Sequence, residues 1–234
     1  MAAAINQICD PGVYRLNDAI QLANSSVAVS PDFESDLIRF LQAQCLLSRV
    51  PLPTIFRGLD VLGGMADGSR LSGLLAPFLE SSDPRIAAKS TLVRERQSRS
   101  IKWLDRVFTE TDDRVRANLI QSLWTRKEPE IEPFLRNAVK DRHPRVAANA
   151  VYGLYLKGSD AWLEGIARLV GSEDAAFRKS GIWVLKSAGV PDAPARIKLL
   201  IRDADAKVRR AAFDALIHLR DNGPKKTPAI AAPV

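Results

Sequence analysis

The chain has 234 residues, 46% of them hydrophobic and 26% charged, with a formal net charge of +7. That is enough apolar material for one continuous core. No run approaches the ~18 consecutive apolar residues of a membrane span, so no membrane partner is expected. Cys9 and Cys45 are the only cysteines, too few for a disulfide framework, and they suit a reducing compartment. The opening Met1-Ala-Ala-Ala-Ile-Asn-Gln lacks the basic and apolar regions of a signal peptide, so the expected location is cytoplasmic.

Charge is unevenly spread. Residues 1–66 hold four basic and six acidic side chains, whereas residues 67–222 hold 28 and 21. The later part is therefore the basic part, which points to an acidic partner or to nucleic acid. The interspersed carboxylates weaken that signal.

In chain order, Val13, Leu16, Ala19, Ile20 and Ala23 keep helical spacing after Pro11 and Gly12, and Asn24-Ser-Ser-Val-Ala-Val-Ser-Pro31 reads as a loop. A second helix carries Phe33, Leu37, Ile38, Leu41, Cys45 and Leu46. Pro51 and Pro53 open a third, with Ile55, Phe56, Leu59 and Leu62. Gly63-Gly-Met-Ala-Asp-Gly68 reads as a hinge into a more regular stretch of chain.

From about Leu71 the chain repeats itself. An apolar residue after an acidic turn recurs as Ile86, Val115, Val146, Phe177 and Val208, at intervals of 29, 31, 31 and 31 residues. Positions 11, 8 and 7 before each of these markers are apolar in every repeat, as in Leu135, Ala138 and Val139 or Ile197, Leu200 and Ile201. They define a helix A. A helix B starts near the marker, with a core position four later (Ser90, Leu119, Ala150, Gly181, Ala212) and another eight later (Leu123, Leu154, Leu185, Leu216). In the first repeat Arg94 falls at the latter position, and Leu92 and Val93 are expected to take over its contact. A fixed period of this length predicts stacked helix pairs, each burying its apolar face on its neighbours. The expected organisation is an N-terminal helical cap with a degenerate repeat over residues 1–66, five repeats over 67–222, and a disordered Pro-rich tail over 223–234.

The motif Asp-Pro-x-Val-Arg, followed by Ala-Ala and Ala-Leu, is seen most fully in Asp205-Ala-Lys-Val-Arg-Arg-Ala-Ala-Phe-Asp-Ala-Leu216. It resembles the HEAT repeat in its short bacterial form. The resemblance implies an all-α, right-handed α-solenoid of antiparallel helix pairs, with A helices convex and B helices concave. It also implies a structural ladder, which carried over pairs Asp112 with Arg116, Asp174 with Arg178 and Asp205 with Arg209. Ala87 and Ala147 interrupt it. The family serves many functions, so the fold does not supply one.

At 100° per residue, the side of helix B opposite its core holds positions two, three, six, nine and ten after the marker. These are Asn118, Gln121 and Trp124; Asn149, Tyr152 and Tyr155; Lys179, Ser180, Trp183 and Lys186; and Arg210, Asp214 and Ile217. Aromatic side chains on a rigid groove are typical anchors for a protein or peptide. The competing account is that Trp124 and Tyr155 wedge between adjacent B helices. Trp103 and Trp162 fall beside core positions and are assigned to packing, and the run Arg94, Arg96, Arg99, Lys102 to a solvated loop.

Catalytic signals are scarce. His143 and His218 have no metal-ligand spacing, the glycines at 63–68 lack a phosphate loop's lysine, and no serine sits in a nucleophile elbow. No cofactor, metal or enzymatic activity is expected. The reading is a non-catalytic scaffold or adaptor that holds a protein or peptide, acidic in character, on the concave face. The alternative is nucleic-acid binding through Lys179, Lys186 and Arg210. Its enzymatic variant resembles the alkylbase DNA glycosylases built on HEAT-like helices, with Asp214 as the catalytic carboxylate.

Overall fold

A computed structural model describes residues 2–13, 15–30, 32–47, 50–65, 68–97 and 104–223. Every regular element among them is helical, and the chain divides into two compact units, Met1–Arg106 and Val107–Val234. The Phe108 side chain, Trp103, Arg99, Lys102 and the tail beyond Gly223 lie outside the described residues.

The first unit contains α1 (Ala2–Cys9), α2 (Leu16–Val29), α3 (Phe33–Leu47), α4 (Leu52–Met65), α5 (Gly68–Leu79) and α6 (Pro84–Gln97). Two expectations are corrected in this unit. The polar stretch after Ala23 is helix as far as Val29, because the Ser25 and Ser26 hydroxyls bond back to the Gln21 and Leu22 carbonyls inside the helix rather than breaking it. Gly63 and Gly64 lie within α4 rather than in a hinge. There a Cβ on Gly63 would come within 2.4 Å of Val93, so the glycine lets α6 lie close against α4. Ile8, Leu37, Leu41, Leu59, Leu62, Leu75 and Phe78 form the buried core, and Leu92 and Val93 are buried as the repeat pattern requires. Cys9 is sealed in this core, and burial pushes its thiol up to about 12, which keeps it protonated and inert.

The second unit stacks helix pairs in sequence order. Helix α7 (Leu104–Thr109) spans the division between the units. It is followed by α8 (Asp113–Ser122), α9 (Ile131–Ala138), α10 (Pro144–Leu156), α11 (Ala161–Val170), α12 (Ala175–Ala188), α13 (Ala193–Lys198) with a 3-10 turn at Leu199–Arg202, and α14 (Ala206–Asn222). The B helices α8, α10, α12 and α14 pack side by side, each on the next, with α9, α11 and α13 paired to them. Asp112, Asp174 and Asp205 start three of the B helices by accepting backbone N–H bonds from the first turn. Gly181 sits where α11 and α12 meet: a Cβ there would lie 2.8 Å from Val170 and 3.1 Å from Leu169. Of the expected core positions, Ile201 departs, at 38% exposed on the last A segment.

The turns hold the repeats together in a way the family resemblance misassigned. Arg116 does not pair with Asp112. Its guanidinium reaches forward to Asp141 in the following repeat (2.9 Å) and also holds Asp113 and the Glu110 carbonyl. Arg178 likewise makes a two-pronged bond to Asp203, 2.7 Å on each side, and clasps the Ser172 and Glu173 carbonyls. Asp112, Asp174 and Asp205 are spent on helix caps, which leaves the next repeat's turn to supply the carboxylate. Burial opposes charge on Arg116, but its bonds to Asp141 and Asp113 outweigh that and hold it above the usual arginine range. The bond from Arg178 holds the Asp203 carboxyl below its usual range. Arg209 clasps the Asp203 and Ala204 carbonyls, and Asp205 caps its own helix.

Candidate binding surface on the B helices

The sequence-predicted aromatic residues come together. Trp124 and Tyr152 meet edge to face at 4.9 Å between ring centroids, and Tyr152 meets Trp183 at 5.5 Å. Trp124 and Trp183 stack at 6.3 Å, and Tyr152 and Tyr155 at 5.9 Å. Trp162, assigned to packing alone, joins the cluster through Tyr155 at 5.3 Å. Offset and edge-on pairs of this kind add stability beyond the area they bury.

The members differ in how far they are open. Trp183 is 36% exposed and Tyr152 is half-buried. Trp124 stands in the turn just after α8, half-buried, and its indole N–H donates to the Asn149 carbonyl at 3.0 Å. Tyr155 is buried, and its hydroxyl donates to the Ala188 carbonyl on α12 at 3.0 Å.

The predicted polar residues are corrected in part. Asn118 and Asn149 are buried, not open to a groove. The Asn149 amide donates to the Ala117 carbonyl at 2.8 Å, and the Asn118 carbonyl oxygen accepts from Arg145 at 3.0 Å. Both link α8 to α10. With Tyr155, they leave the open surface for a physical reason: a B helix has neighbours on both flanks, and Asn118 and Tyr155 reach the following one while Asn149 reaches the preceding one. The open line is position six: Gln121 and Tyr152 are half-buried, Trp183 and Asp214 exposed. Lys179 is exposed beside it and Lys186 is half-buried. Arg210 is not a free cation, since it pairs with Asp214 at 3.1 Å one turn on. That pair also leaves Asp214 an exposed, ion-paired carboxylate.

Beside Trp124 lies a cavity of about 490 Å³ that the repeat pattern gave no reason to expect, lined by Trp124, Arg126, Glu128, Glu132, Leu156 and Lys157 among others. Both of its carboxylates are held by neighbouring side chains. Arg126 bonds Glu128 at 2.6 Å and holds that carboxyl below its usual range. Ser159 and Arg136 do the same for Glu132. Burial lowers the Lys157 ammonium pKa, and its proton bonds the Arg126 carbonyl. The signal was the early end of α8, which leaves Thr125-Arg-Lys-Glu-Pro129 to loop outward. Among the described residues no group of three His, Cys, Asp or Glu is placed to hold a metal ion.

The sequence profile of the HEAT repeats matches residues 100–186 and 132–217, half of the chain when joined. This chain belongs to the HEAT-repeat family. None of the curated proteins matches it in sequence. Among solved structures, human deoxyhypusine hydroxylase in complex with glycerol is similar along 94% of this chain and 96% of its own, at 14% identity and a TM-score of 0.43. An engineered protein is similar along 94% and 98%, at 13% identity and a TM-score of 0.31. The first of these is an enzyme, which corrects the expectation that a chain of this architecture is not one. A likeness this distant assigns no reaction to this HEAT protein. No helix among its described residues is long and apolar enough to cross a membrane.

Proposed function

We propose that this HEAT-repeat scaffold binds a protein or peptide on the B-helix face, with Tyr152 and Trp183 as anchors. The observation that carries the reading is the 36% exposure of Trp183 in a five-ring cluster in which Trp124 and Tyr155 are fixed by hydrogen bonds to the backbone. An indole held in place on one side and open on the other loses little freedom when a partner covers it. Lys179 beside it favours an acidic position on the partner. The nucleic-acid alternative has less support, because Arg210 is matched by Asp214 and no row of free cations follows the face.

A photo-crosslinking side chain at Lys179 tests this directly, with the same group at Leu163 on α11 as the control position. The expected result in cell extract is a discrete protein adduct from position 179 only, retained in high salt and lost with Trp183→Ala. Equal adducts from both positions would sink the reading. Adducts destroyed by nuclease would replace it with nucleic-acid binding.

A further inference from the structure

A second surface lies on α14, away from the aromatic cluster. The position five after each marker is buried in the earlier B helices, and Val151 there packs on α11, where a Cβ on Gly165 would lie 2.7 Å from it. Thr91, Ile120, Val151 and Ile182 occupy it and are at most 7% exposed. Phe213 occupies it in the last repeat and is 56% exposed, with Ile217 one turn on at 36%. A B-helix face open to water normally carries polar side chains. This one presents the bulkiest side chain of the series.

Arg209 is left incomplete in the same place. Its guanidinium clasps the Asp203 and Ala204 carbonyls at 2.8 Å each, as Arg178 clasps Ser172 and Glu173. Arg178 then gives its other edge to Asp203, whereas Arg209 has no carboxylate partner among the described residues. It is a fork already held in the orientation that receives an acid. Residues 223–234 include no Asp or Glu.

Arg209, Phe213, Ile217 and Asp221 are all exposed and follow one another at four-residue spacing along α14. Among the described residues Asp221 holds only its neighbour Arg220, at 2.8 Å, an exposed pair worth little and open to exchange. A stripe running basic, apolar, apolar, acidic is complementary to itself when two copies lie antiparallel. Around a two-fold axis midway between Phe213 and Ile217, each Phe213 ring covers the other copy's Ile217. The Arg209 end of each helix then lies beside the Asp221 end of the other. We infer that α14 is a self-association surface, on which a second copy of this chain buries Phe213 and Ile217 and supplies the acid for Arg209.

Sedimentation equilibrium of the full 234-residue chain tests the inference. A reversible dimer is expected, with Phe213→Glu raising its dissociation constant at least about 30-fold, as loss of a central apolar anchor does. Asp221→Arg should weaken it about tenfold in low salt, and Arg209→Glu with Asp221→Arg should restore most of that. Melting curves verify that each variant is folded. Phe213→Ser serves if the charged variant is not. Trp183→Ala should leave the dimer unchanged, which separates this surface from the partner-binding face. A chain that stays monomeric at millimolar concentration overturns the inference. So does a dimer indifferent to both Phe213 variants, or one that forms only after residues 224–234 are removed.

Discussion

The junctions between repeats in the second unit are of two kinds. Between the second and third repeats, and again between the fourth and fifth, an arginine reaches forward to an aspartate: Arg116 to Asp141 and Arg178 to Asp203. Between the third and fourth there is no such rung. Ala147 stands where the arginine would be and Ser172 where the acid would be. That junction is closed by Tyr155 bonding the Ala188 carbonyl and by the rings of Tyr152 and Trp183. Trp124 adds an indole bond to the Asn149 carbonyl at the junction of the second and third repeats, so that junction has both closures. The junction of the third and fourth has the aromatic one without a rung and carries the exposed indole. The lesson is that one cluster is graded: its inner rings tie repeats together while its outer ring stays exposed.

Removing one side of a buried ion pair should have the largest effect. Arg116→Ala strands Asp141 and is expected to cost about 3 kcal/mol in chemical denaturation. If it costs nothing, the rungs do not hold the stack. Asp203→Asn should lower the melting temperature at pH 7 by less, and its effect should depend on pH. The Asp203 carboxyl lies below its usual range because of the bond from Arg178. Its contribution is therefore full above the unfolded value of about 4 and is lost as pH falls through the lower folded value. The gap between wild type and Asp203→Asn should close as acid is added, and a gap constant with pH would contradict the assignment. Tyr155→Phe removes one buried hydrogen bond from the aromatic junction and should cost about 1 kcal/mol. Trp183→Ala removes two ring contacts from a residue 36% exposed and should cost about 1 kcal/mol as well. A loss of several kcal/mol there would move Trp183 from the binding face into the packing.

The period, the two helices per repeat and most core positions were legible in the sequence, because apolar residues at fixed intervals report burial directly. Leu135, Ala138, Leu154 and Leu185 are all buried where that pattern puts them. The meeting of Trp124, Tyr152, Tyr155 and Trp183 was also legible. What a single-helix projection lacks is neighbours. It set Asn118, Asn149 and Tyr155 facing outward, and adjacent B helices cover them. The ladder register was missed for a related reason. Capping claims the aspartate nearest each arginine, so the true partner stands 25 residues on, a spacing the sequence carries at 116 and 141 and again at 178 and 203. Helix α1 was overlooked because short alanine-rich segments carry little periodicity.

One small feature of the turns bears on how such a protein can be cut and extended. The residue five before each marker accepts the N–H two positions on: Ser81, Glu110, Asp141, Ser172 and Asp203 all do so. Serine performs that task as well as aspartate, so the acid is required only where an arginine arrives from the repeat before. Excising the third repeat alone would deliver Arg116 to Ser172 and leave its guanidinium only the exposed Asp113, with the rung between repeats lost. Excising the third and fourth together would deliver it to Asp203 and keep the rung. The unit of insertion and deletion in this stretch is therefore a pair of repeats, and a library of single-repeat deletions should be far poorer in folded members than one built on pairs.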